Sequence, residues 1–119
     1  MKVEVSNGEL VDKISVLNVK CRKIDDDDKR ATICMELFGL EQAMKDLGCR
    51  RELEDLEEIN DKLWDVIAEA KNLLECGELG NRFIELSAET IKLNDARFLI
   101  KKKINENTGS AIREVKEGL

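Results

Sequence analysis

From residue 7 onward the apolar positions of this chain recur at steps of four and three. Leu10, Ile14, Leu17, Cys21 and Ile24 form one stripe, and Ile33, Leu37, Leu40, Met44 and Leu47 a second. A third holds Leu53, Leu56, Ile59, Leu63, Val66, Ala70 and Leu73, and a fourth Phe83, Leu86, Leu93, Ile100 and Ile104, with Thr90 and Arg97 as polar members. Such steps keep side chains on one face of an α-helix, so the pattern predicts four amphipathic helices. Ser6-Asn7-Gly8-Glu9 has the form of a capping box, and Asp25 to Asp28 interrupt the first stripe and can cap the second. Gly48, Cys76-Gly77-Glu78-Leu79-Gly80 and Thr108-Gly109-Ser110 are stops. The predicted helices span about 7–24, 28–47, 50–76 and 81–106; residues 107–119 are left as a tail that is loose or docks as a final turn.

Short turns between consecutive helices predict an all-α, up-down antiparallel bundle of four helices, built as one domain over 1–119. The composition agrees: 119 residues, 42% hydrophobic, 39% charged, and no proline to break a helix. The last two helices outrun the first two. Their extra apolar surface, with its heptad-like spacing, predicts coiled-coil packing against a second copy and hence a homodimer.

Charge removes several functions. With 20 Lys plus Arg against 26 Asp plus Glu, the net charge of -6 argues against nucleic-acid binding. The four aromatics, Phe38, Trp64, Phe83 and Phe98, sit where a helical core would use them, so no stacking platform is left over. No apolar run has the ~18 residues of a spanning helix, and Met1-Lys2-Val3-Glu4-Val5 lacks a hydrophobic signal, which points to a cytoplasmic protein without a membrane partner. Cys21, Cys34, Cys49 and Cys76 form no Cys-x-x-Cys pair, and no histidine exists to complete a zinc site or to serve Ser-His or Cys-His catalysis. They read as reduced thiols.

Three polar clusters remain as candidate chemistry. Antiparallel partners have residue numbers of nearly constant sum, which sets Asn60 and Asp61 opposite Asn94 and Asp95. Following the chain through the first hairpin adds Asn18 at about that height. Asn18, Asn60, Asp61, Asn94, Asp95 and Arg97, with Trp64 beside them, are the candidate polar layer; its bland role is to fix helix register, its sharper one to bind a ligand. Arg50 and Arg51 with Lys101, Lys102 and Lys103 gather at one end as candidate phosphate contacts, although acids dominate the third helix and the charges also suit interhelical pairing. Glu9, Asp12, Glu57, Glu58 and Asp61 lie at helix spacing on neighbouring helices and are the carboxylates that could hold Mg²⁺. Glu57-Glu58-x-x-Asp61 with Glu9-x-x-Asp12 resembles the Glu-Glu-x-x-Glu and Glu-x-x-Asp motifs of MazG-type nucleotide pyrophosphohydrolases, but in reversed order and with an imperfect first motif. The Asp25 to Asp28 run is no calcium loop, because Lys29 and Arg30 stand where a ligand oxygen and a glycine are needed.

Gly8-Glu9-Leu10-Val11-Asp12-Lys13, Ile59-Asn60-Asp61-Lys62-Leu63-Trp64, Asn94-Asp95-Ala96-Arg97 and Lys101-Lys102-Lys103-Ile104-Asn105 resemble the words of a small, uncharacterised bacterial family over nearly the whole chain. The resemblance implies that Glu9, Asp12, Lys13, Asn60, Trp64, Asn94, Asp95 and Arg97 recur in that family. It implies no activity. The acidic residues associated with the segment after the tryptophan are reduced here to Asp65 and Glu69. Together these observations favour a non-catalytic helical interaction or assembly module without a cofactor. The alternative is a small-molecule or phosphate-ligand protein, with a Mg²⁺-dependent pyrophosphohydrolase as its enzymatic form.

Overall fold

The computed structural model describes residues 3–110, so the expectations for residues 111–119 of the tail lie outside it. Four helices follow in order: α1 (Asn7–Lys23), α2 (Asp27–Met44), α3 (Arg50–Glu75) and α4 (Asn81–Thr108). The all-α bundle is as predicted, and the helix limits fall within about three residues of the sequence pattern, because periodicity and caps are local signals. Ser6 Oγ accepts from Glu9 N at 3.1 Å, and Asp26 Oδ1 from Lys29 N at 3.1 Å. Only half of the expected capping box forms, since the Glu9 carboxylate turns instead to Lys101. α4 runs on to Thr108 and closes on Gly109, which adopts a left-handed φ of 63°. None of the four helices is long and apolar enough to cross a membrane.

The helices are not equivalent. α1 packs on all three others, whereas α2 packs along α1 and reaches the rest of the core only at its C-terminal end. Val11, Ile14, Leu17 and Val19 are therefore all buried, together with Asp12 and Ser15, so α1 is enclosed on more faces than its single predicted stripe. Leu56 and Leu63 of α3 and Leu86, Leu93 and Ile104 of α4 complete the core, which α1, α3 and α4 form between them. α2 contributes no buried residue; Met35 and Phe38 face outward, and only Met44 and the following Leu47 reach the cluster of Val11, Cys49, Leu56 and Ile104. It is an arm on a three-helix core. Its amide protons are expected to exchange with solvent well before those of α1, α3 and α4, and equal protection in all four would contradict this arrangement.

α1 stops at Lys23, whose ammonium lies 3.1 Å from Asp61 and 3.3 Å from Asp65. Beyond that level α3 and α4 continue alone for about ten residues each, some 15 Å of unsupported hairpin at 1.5 Å per residue. Arg82 clasps this hairpin through Glu69, with contacts of 2.5 and 2.8 Å, and holds the Glu69 carboxyl below the usual carboxylate range. Being exposed to solvent, the clasp sets register more than it adds stability.

Candidate functional site

A second, polar stripe runs down α1 beside its apolar one. Gly8, Asp12 and Ser15 repeat at steps of four and three, and Arg97, Lys101, Asn105 and Thr108 repeat on α4 in the same way. Because the two helices are antiparallel, these residues meet in rungs. Asn7 Nδ2 donates to Thr108 Oγ1 at 2.9 Å, and Gly8 N to Asn105 Oδ1 at 2.7 Å. Glu9 pairs with Lys101 at 2.8 Å, and Asp12 with Arg97. The backbones approach so closely at the second rung that a Cβ on Gly8 would lie 2.4 Å from the Lys101 carbonyl oxygen.

The Asp12 rung is the centre of the seam. Arg97 Nε donates to Asp12 Oδ1 at 2.7 Å and its Nη2 to Oδ2 at 2.5 Å, a two-pronged contact that matches guanidinium to carboxylate. From α3, Asn60 Nδ2 reaches Asp12 Oδ1 at 3.1 Å and Ser15 Oγ at 2.7 Å, while Ser15 Oγ donates to the Asp12 carbonyl at 2.6 Å. Asp12 is only 2% exposed and Arg97's side chain 29%. A carboxylate so enclosed and so fully paired is positioned to lock three helices together, and it presents no free oxygen to a substrate.

The candidate polar layer is thus partly reassembled. Asn60 and Arg97 both reach Asp12, and Asn94 Oδ1 lies 3.5 Å from Arg97 Nη1 at the exposed edge. Asn18 does not join them; its Nδ2 donates to Glu57 Oε1 at 2.5 Å. Asp61 turns to Lys23, and Asp95 is exposed. Asp12, Ser15, Asn105 and Gly8 complete the seam, and the repeat of polar residues parallel to the apolar stripe is the signal that could have placed them there.

Of the candidate phosphate contacts, Lys101 is withdrawn into the bundle onto Glu9, Arg50 pairs with Glu54 at 3.5 Å, and Arg51, Lys102 and Lys103 are exposed. The candidate Mg²⁺ carboxylates separate as well. Glu9 and Asp12 face cations, Glu57 faces Asn18 and Arg22, Glu58 faces Lys62 at 3.5 Å, and Asp61 faces Lys23. Among the described residues no three His, Cys, Asp or Glu side chains converge as metal ligands.

Above the Asp12 rung, where α1 ends, a cleft of about 260 Å³ opens between Val16 and Val19 of α1, Trp64 and Ile67 of α3, and Asn94 and Arg97 of α4. It continues along the hairpin as a cavity of about 380 Å³ lined by Ile67, Lys71 and Leu74 on one side and Phe83, Thr90 and Ile91 on the other. Trp64, Ile67, Leu74, Leu79, Ile84 and Ile91 all remain between 36 and 64% exposed along this part of the molecule.

No characterised protein and no solved structure matches the chain. A model of the family of unknown function DUF6165 matches residues 1–118, and the chain belongs to that family.

Proposed function

We propose that this protein is a non-catalytic helical assembly module that self-associates through the α3–α4 hairpin. The observation that carries this reading is the apolar face left uncovered where α1 ends. Near its base the hairpin receives a third helix, α1; toward its tip it receives none, although Ile67 and Leu74, and Ile84 and Ile91, keep the seven-residue spacing of a packing face. The tip of a second copy, related by a two-fold axis, supplies two more helices of the same length and closes a four-helix arrangement. The flanks fit a self-contact too, since Lys71 and Lys92 share this region with Glu75, Glu85 and Glu89, so each copy brings both signs of charge. Exposed apolar patches of a few hundred Å² mark interaction surfaces on soluble chains. Cytoplasmic location, in a bacterial cell, is part of the same proposal.

Sedimentation equilibrium at micromolar concentration is expected to return twice the 13.5 kDa chain mass. Ile91→Glu or Leu74→Glu is expected to weaken association at least about tenfold while leaving helicity unchanged, because a charge enters the contact and no core residue is touched. A wild-type protein that stays monomeric, or variants that associate as tightly as wild type, would overturn the proposal.

One observation favours a second reading. The 260 Å³ cleft pairs an apolar wall with the amide of Asn94 and the edge of Arg97, the composition of a small-ligand site. A thermal-shift screen against nucleotides and sugar phosphates, with and without Mg²⁺, separates the two: selective stabilisation that Asn94→Ala abolishes would place ligand binding ahead of assembly.

A further inference from the structure

The seam between α1 and its arm holds two thiols in contact. Cys21 on α1 and Cys34 on α2 bring their Sγ atoms to 3.9 Å, and both are free. Cys34 is exposed and Cys21 half-buried beneath it; of the other two cysteines, Cys49 is buried in the core and Cys76 lies exposed at the end of α3. No third ligand makes the pair a metal centre among the described residues. An accessible thiol with a second thiol in reach has the layout of a site that oxidises reversibly, since the partner captures the first oxidation product before it is oxidised further.

We propose that Cys21 and Cys34 form a peroxide-responsive modification site, in which Cys34 is oxidised first and Cys21 resolves it into a disulfide that ties α2 to α1. In the first step the Cys34 thiolate attacks hydrogen peroxide. A sulfur–oxygen bond forms, the oxygen–oxygen bond breaks, the leaving hydroxide takes a proton to become water, and the sulfur, now a sulfenic acid, has given up two electrons. In the second step the Cys21 thiolate attacks the Cys34 sulfur. The disulfide forms, the sulfur–oxygen bond breaks, and the hydroxide leaves as a second water. Two thiols and one peroxide become one disulfide and two waters, and a dithiol reductant reverses the change by exchange.

The surroundings set this order. Burial raises the Cys21 pKa above that of an ordinary thiol, and the hydrogen bond to Cys34 and repulsion from it raise it further, with Arg30 opposing. Cys21 is therefore the poorer first nucleophile. Once Cys34 is a neutral sulfenic acid the repulsion between two thiolates is gone, and the Arg30 charge remains to favour the Cys21 thiolate. The consequence falls on the helix that packs chiefly on α1. With α2 free to lift, Met44 and Leu47 uncover Val11 and Cys49; with the bond made, the arm is held in place.

The test uses the full chain carrying Cys76→Ser, which removes the other exposed thiol. Hydrogen peroxide is expected to lower the titratable thiols from three to one, to reduce the mass by about 2 Da reversibly with dithiothreitol, and to yield a Cys21–Cys34 linked peptide. Hydrogen exchange in α2 is expected to slow at least about tenfold on oxidation. Cys21→Ser in the same background is expected to leave Cys34 as a sulfenic acid trapped by a cyclic diketone probe. The proposal is overturned by stable sulfinic acid at Cys34 without the link, by disulfides between chains in place of it, or by unchanged α2 exchange in the linked protein.

Discussion

Arg97→Met is expected to destabilise the protein by about 3–5 kcal/mol, because it strips the guanidinium from a carboxylate that has almost no access to water. Asp12 is 2% exposed and keeps only the Asn60 amide once Arg97 is gone. Against a typical domain stability of roughly 5–15 kcal/mol, that loss removes a large share of the folded state's margin. Urea unfolding followed by circular dichroism measures it, and the midpoint of thermal unfolding is expected to fall by more than about 10 °C. The reverse truncation, Asp12→Asn, is expected to cost less, about 1–2 kcal/mol, since Arg97 is 29% exposed and can turn its charge toward the cleft and water. Replacing both partners, Asp12→Leu with Arg97→Met, is expected to recover most of the single-variant loss, as the Asn60–Ser15 bond satisfies the polar groups that remain. A cost below about 1 kcal/mol for Arg97→Met would mean that the buried pair does not form in solution.

That asymmetry says what the seam is for. Buried ion pairs are poor sources of net stability and good sources of uniqueness, because mispairing them is costly. Four polar rungs between α1 and α4 make a slip of one turn expensive: in one direction it sets Asp12 against the buried Leu93 as Glu9 meets Arg97, and in the other it sets Asp12 against Lys101 and Arg97 against Val16. The apolar steps of four and three on these helices would tolerate such a slip. The polar stripe therefore carries the register, and the Asn60 amide extends it to α3.

How much of this was legible in the chain follows from the range of each signal. Helix limits come from periodicity, caps and glycine stops within a few residues, and they emerged nearly intact. The level of Asn60 against Arg97 was also readable, because α3 and α4 are consecutive and antiparallel, so one turn fixes their alignment. Asp12 takes the place expected for Asn18 in the polar layer because the height of α1 follows from the sequence only by way of α2, an arm that packs chiefly on α1, and the difference is six residues, about 9 Å. The sequence groups Lys101 with Lys102 and Lys103, as phosphate contacts or as partners for the acids of α3, because three consecutive lysines carry no sign of which one turns inward. The position of Lys101 four residues after Arg97 puts it on the inward polar stripe, while Lys102 and Lys103 turn away. The enclosure of α1 was not readable at all, since the number of helices around a given helix is a property of the packed molecule.

Gly8→Ala provides the sharpest measure of how close α1 and α4 stand, because here geometry and propensity predict opposite signs. Alanine for glycine inside a helix ordinarily stabilises by about 0.5–1 kcal/mol, through the entropy of the unfolded chain. Gly39 in α2 has nothing within 4 Å of where its Cβ would be, so Gly39→Ala is expected to show that ordinary gain. At Gly8 the new methyl would stand 2.4 Å from the Lys101 carbonyl oxygen and 3.0 Å from Asn105 Oδ1. A backbone carbonyl in the middle of a helix cannot rotate aside as a flexible side chain can. The helices must part, and parting them weakens the Gly8–Asn105 and Glu9–Lys101 contacts together with the Asp12–Arg97 pair one turn away. Gly8→Ala is expected to destabilise by about 3 kcal/mol, the upper range for over-packing, so the two alanine variants should differ by roughly 4 kcal/mol in urea unfolding. If both substitutions stabilise equally, α1 and α4 do not touch backbone to backbone, and the rungs of the seam cannot have the lengths that fix its register.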